Sequence, residues 1–136
     1  MKESNFQLVG KPRMTSLQYS TNKEFEFGNE LSIQIDNQIQ IMNVEGEYGR
    51  EALVILNLSV FKSAEFKDVP FSISVKIEGL FKWDEDLESK KELLDIMLKQ
   101  NAPAVLYGYL RPMITLVTVE ANMPPLVIPL MNFNVK

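Results

Sequence analysis

A chain of 136 residues with 46% hydrophobic and 24% charged side chains has the length of one domain and the composition of an ordinary globular protein, able to bury roughly two-thirds of the surface its unfolded form exposes. Fourteen basic residues against eighteen acidic ones give a net charge of −4, and no run of Lys or Arg could neutralise several phosphates, so nucleic acid is not an expected partner. The chain contains no Cys and no His, which removes disulfides, thiolate zinc sites, thiol nucleophiles and the commonest general base.

The start, Met1-Lys2-Glu3-Ser4-Asn5, lacks the apolar stretch of a signal peptide. Phe6 to Thr21 reads as a strand interrupted at Gly10-Lys11-Pro12. From Leu31 to Ile35 apolar and polar residues alternate, and the alternation resumes at Ile39 and Ile41, which predicts a half-buried strand. Ala52 to Val60 is apolar on both parities around Leu53-Val54-Ile55-Leu56, as suits a more central strand. Phe71-Ile73-Val75-Ile77 alternates again. Glu45 to Arg50 and Phe66 to Pro70 are short polar connections between these runs. A meander of about four antiparallel strands, residues 5–83, is therefore expected.

The period then changes from 2 to about 3.6 residues. Asp84-Glu85-Asp86 opens a helix with Leu87, Leu94, Met97 and Leu98 on one face, expected to end near Asn101, ahead of Pro103. Ala104 to Ala121 is rich in β-branched residues from Met113 to Val119, but its length and the proline just before it favour a long buried helix. Pro112 would kink that helix or free a carbonyl. Met123 to Leu130 carries three prolines and reads as an extended segment on a surface. The apolar stretch from Ala102 to Phe133 is broken by Arg111, Glu120 and five prolines, so a soluble, cytoplasmic chain with no membrane partner is expected.

Ala102-Pro103-Ala104-Val105-Leu106-Tyr107-Gly108-Tyr109-Leu110-Arg111, followed by Ile114-Thr115 and by Pro124-x-Leu126-x-Ile128-x-x-x-Asn132-Phe133, resembles the C-terminal signature of the SecB family of protein-export chaperones. Upstream, Glu78-Gly79-Leu80-Phe81 resembles the end of that family's last strand. The resemblance implies an α+β fold: a four-stranded antiparallel sheet, strands at about 5–83, with C-terminal helices and a Pro-rich crossover at about 85–133 packed on one face, all one domain over 1–136. It also implies a holdase working as a homodimer or homotetramer, with unfolded or partly folded polypeptides as clients, either for export or for a dedicated partner such as an antitoxin. Leu31, Ile33, Ile35, Met113, Leu116, Leu126 and Ile128 would line the apolar client groove. Pro103, Tyr109 and Arg111 would serve the oligomer interface or the helix itself.

Four departures from the family pattern are visible. Where the family carries acidic residues that dock the export motor, Ser16, Ser20 and Ser74 stand here. With Lys136 as the last residue, three after Phe133, the family's final helix and basic tail are expected to be missing. Ala121-Asn122 replaces a glycine after the long helix, a position where Asn122 can adopt a left-handed cap. Leu130 replaces the last proline of the crossover. Weak docking on the motor is expected from these changes.

The Asp84-Glu85-Asp86-Glu88 cluster lacks the Gly turn and distal Glu of a calcium loop and is explained as helix-start charge. No nucleophile elbow, P-loop or dinucleotide fingerprint occurs, so no cofactor, no metal and no enzymatic activity are expected. The alternative reading is a small domain enclosing an apolar pocket for a lipid-like ligand.

Overall fold

A computed structural model describes residues 5–28, 31–44, 49–131 and 133. Four strands, β1 (Phe6–Thr21), β2 (Ile35–Val44), β3 (Glu51–Val60) and β4 (Phe71–Trp83), are followed by α1 (Glu85–Glu88), α2 (Lys91–Ile96) and α3 (Ala102–Glu120). The strands form one antiparallel sheet in the order β1-β4-β3-β2. The expected meander covers β2, β3 and β4, whereas β1 pairs with β4 instead of its chain neighbour, as in a Greek key. The segment that carries the chain from one sheet edge to the other is fixed beyond β1 by Asn22. Its N–H donates to the Pro70 carbonyl at 2.8 Å, and its amide to the carbonyls of Phe66 and Val69 at 3.1 and 3.0 Å.

The interruption expected in β1 is a register shift between Val9 and Arg13, with Gly10 at φ +71°, where a residue without Cβ carries no penalty. A second shift between Met14 and Ser16 leaves no mark in the hydropathy pattern. β2 begins at Ile35, later than the alternation suggested. Leu31 and Ile33 precede the strand, since residues 31–34 run past the sheet end, where the Gln34 carbonyl accepts from Phe61 N–H at 2.9 Å. The expected polar connection at 45–48 lies outside the described residues.

One sheet face is apolar across β1, β4 and β3, and on β2 through Ile35, Ile39 and Ile41. Ala52, Val54, Leu56, Leu58 and Val60 of β3 and Phe71, Ile73, Val75, Ile77, Phe81 and Trp83 of β4 are buried there, in register with Phe6, Leu8, Met14 and Tyr19 on β1. Leu94, Leu98, Leu106, Leu110 and Ile114 cover this face from the helices. The closest approach is at Gly79, where a Cβ would lie 2.9 Å from Leu8 Cδ1 and 3.0 Å from Leu106 Cδ2. Glycine is therefore what lets β1 and α3 both close on β4.

The helix does not end near Asn101. Met97–Asn101 forms a wide, π-type turn, with Ala102 N–H donating to the Met97 carbonyl, and the helix continues into α3. The turn closes at Ala102, one residue before Pro103, which has no N–H to give, and the extra residue in the turn makes room for its ring. The β-branched run from Met113 to Val119 is helical, because burial of Leu106, Leu110 and Ile114 at helical spacing outweighs strand propensity. Lys91–Glu120 is long and apolar enough to cross a membrane by length and composition, and one of its faces, with Leu94, Leu98, Leu106, Leu110 and Ile114, is covered by the sheet. After α3, Asn122 takes φ +59°, and Met123 N–H donates to the Thr118 carbonyl at 2.9 Å, the left-handed cap expected of it.

Candidate functional site

The segment 123–131 forms an extended strap that runs back along α3. Four polar side chains of α3 hold it, at positions 107, 111, 115 and 118, one stripe of the helix. Thr118 Oγ1 accepts from Leu126 N–H at 3.0 Å and donates to the Thr115 carbonyl at 2.8 Å. Thr115 Oγ1 lies 2.7 Å from the Leu126 carbonyl. Arg111 Nε donates to the Ile128 carbonyl at 3.0 Å, and Tyr107 donates its hydroxyl to the Pro129 carbonyl. Burial pushes the Tyr107 phenol above its ordinary value, so it remains a donor throughout the neutral range. The Phe133 ring meets Tyr107 edge to face at 5.7 Å. Prolines suit such a segment, since a strap held by side chains has no ladder for their missing N–H groups to break.

The strap's other side faces β2. Ile128 is completely buried in the core, so it supports the strap from beneath and does not line an accessible groove. Leu126 and Met113 are half-buried beside it, as is Leu31, which packs against the core. Ile35 and Ile41 are half-buried along β2, with Ile39 more open. At the far end of the strap an open cleft of about 440 Å³ is lined by Gln100, Asn101, Ala104, Val105, Met131 and Phe133. Apolar surface thus continues from the β2 row through the strap end to the start of α3.

Leu116 and Ile33 are not part of that surface in one place. Leu116 is 59% exposed on the outer face of α3, with Val105, Tyr109 and Val119 also exposed, and Gly108 and Pro112 between them. Ile33 is exposed in the connection before β2. Pro103 is buried just after the π-type turn. Arg111 is a strap anchor, a role its spacing to Tyr107 and Thr115 could have signalled, because polar residues at intervals of three or four in an apolar helix face something polar. Asn132 of the signature lies outside the described residues.

The opposite sheet face carries Ser16, Ser20 and Ser74. Ser20 pairs with Ser72, Gln18 with Ser74 and Ser16 with the exposed Lys76, so the three serines share one patch whose charge is the lysine's, without a carboxylate. Further along the same face, Val9, Leu80, Leu53 and Met42 form a row across all four strands. Between sheet and helices, Leu56, Leu106 and Leu110 fill the interior.

Comparison with known proteins decides the family. The family model described as preprotein translocase subunit SecB matches residues 16–135. The chain belongs to the SecB family. It is 26% identical to the protein-export protein SecB of Anaplasma phagocytophilum over 136 residues, 98% of this chain and 84% of that protein. An uncharacterized protein of Methanocaldococcus jannaschii is 26% identical over 103 residues, 75% of this chain and 62% of that protein. Among solved structures, a SecB-like chaperone of Mycobacterium tuberculosis in complex with a peptide from an antitoxin has the same fold, with a TM-score of 0.66 at 13% identity, covering 94% of this chain and 88% of that one. This SecB-family chain is a chaperone by membership.

Proposed function

We propose that this SecB-family protein is a passive holdase that takes extended apolar segments of unfolded polypeptides into the groove formed by β2, the strap and the start of α3. The observation that carries the reading is the strap itself, an extended apolar segment with prolines that α3 holds through side chains, beside an open cleft at Met131 and Phe133. Leu31, Ile35, Met113 and Leu126 are its walls in this reading. A client burying a few hundred Å² there gains several kcal/mol at about 25 cal/mol/Å², before ordering costs, without needing particular side chains. Titration with a reduced, unfolded polypeptide in a calorimeter tests the reading, and absence of binding overturns it.

The apolar outer face of α3, with Val105, Tyr109, Leu116 and Val119, supports assembly with a second copy into a homodimer or homotetramer. Cytoplasmic placement follows from the same reading. The absence of carboxylates at Ser16, Ser20 and Ser74, beside Lys76, supports service to a dedicated partner, such as an antitoxin, over docking on the export motor, since charge complementarity governs encounter and discrimination at such surfaces. A micromolar or tighter complex with the motor at low salt would reverse that preference.

A further inference from the structure

From Ile35 to Ile41 the apolar row of β2 is interrupted at one position. Asn37 stands in it between Ile35 and Ile39, and its register partner on β3 is the fully buried Leu58. Its carboxamide is poorly served. Asn37 Nδ2 donates to Met131 Sδ at 2.7 Å, and a thioether is a weak acceptor. Asn37 Oδ1 is buried and has no hydrogen-bond partner among the described residues. A β-branched apolar residue would complete the row and suit the strand better, so the amide is kept here at a cost in stability. A buried polar atom without a partner calls for an explanation.

Met131, the group now covering the amide, is also a wall of the cleft at the strap end. Its side chain is unbranched and adaptable, and turning it aside joins the cleft to Asn37. The strap, itself an extended apolar chain, shows that such a segment packs beside Asn37. An extended residue presents its N–H and C=O to the same side, as strand pairs do. A carboxamide matches that pair, with Oδ1 accepting the N–H and Nδ2 donating to the C=O.

We infer that Asn37 reads client main chain: an extended apolar segment of another polypeptide displaces Met131 and pairs the N–H and C=O of one residue with the Asn37 carboxamide. The inference rests on the holdase reading above. Contact with main chain adds affinity without selecting a sequence, and the flanking Ile35 and Ile39 then set which client side chains fall on apolar surface.

The test uses a short apolar peptide and two versions of it N-methylated at alternate residues, one in each phase, titrated by fluorescence anisotropy into the wild-type protein and Asn37→Leu. N-methylation removes amide hydrogens and leaves apolar surface in place. The wild type should lose about tenfold in affinity for at least one methylated version, equivalent to about 1.4 kcal/mol. Asn37→Leu should bind the unmethylated peptide about tenfold more weakly, show no methylation penalty beyond that of the peptide itself, and melt at or above the wild-type temperature. Equal wild-type affinity for all three peptides overturns the inference whether or not Asn37→Leu folds. So does equal affinity of the two proteins for the unmethylated peptide, and in either case the holdase reading stands. Failure of the wild type to bind any of the three removes both.

Discussion

Thr118→Val removes one hydroxyl from a completely buried side chain and keeps its shape. The Leu126 N–H, which now donates to Thr118 Oγ1 at 3.0 Å, loses its acceptor at the point where the strap leaves α3. A partly buried donor left unpaired costs about 1–3 kcal/mol. The lost donation to the Thr115 carbonyl at 2.8 Å adds little, because that carbonyl stays within the helical ladder. A loss of about 2 kcal/mol is expected. At about 3–5 °C per kcal/mol for a chain of this size, the thermal midpoint should fall by roughly 6–10 °C. Calorimetry and urea unfolding measure it, and hydrogen exchange at Leu126 should accelerate. Thr115→Val is the control: it strips the Leu126 carbonyl of a donor, and an under-satisfied carbonyl is better tolerated than an orphaned N–H, so about 1 kcal/mol is expected. Thr118→Val within about 0.5 kcal/mol of wild type, or less damaging than Thr115→Val, would refute the account of how α3 holds the strap.

Gly79→Ala should destabilise by about 1–3 kcal/mol, because its Cβ meets side chains of both Leu8 and Leu106; urea unfolding of this variant checks that β1 and α3 close on β4 together. Glu88, which accepts from Lys91 and from the indole of the single tryptophan, Trp83, has its carboxyl held below the ordinary value by the Lys91 hydrogen bond first and the Trp83 bond second. Its contribution to stability is present above the unfolded-state pKa and is lost as pH falls through the lower folded value. Trp83 fluorescence should therefore titrate below pH 4.5, and Glu88→Gln should abolish that step while leaving the neutral-pH spectrum close to wild type. Leu116→Asp, on the outer face of α3, should shift native mass spectra toward monomer with little change in monomer fold, since the side chain it replaces is exposed; an unaltered assembly would exclude that face as the contact.

Composition and periodicity by themselves determined the element types: the alternation in β2, β3 and β4, the switch to helical spacing at Asp84 and the proline-rich extended tail each follow from local patterning. The Gly10 bulge and the Asn122 cap were legible for the same reason, since both depend on the φ of one residue. Only the tertiary structure decided that β1 lies beside β4, because the choice between two strand edges is made by the Asn22 contacts and by packing at Gly79, far apart in the chain. It also decided that the helix passes Pro103, through a π-type turn, because burial on the sheet outweighs the local break. Placing Ile128 in the core, and bringing Asn37 against Met131 across 94 positions, needed the strap to be laid between α3 and β2. Side chains that bind main-chain groups leave little periodic trace, so the residues that hold the strap became visible only once helix and strap stood side by side.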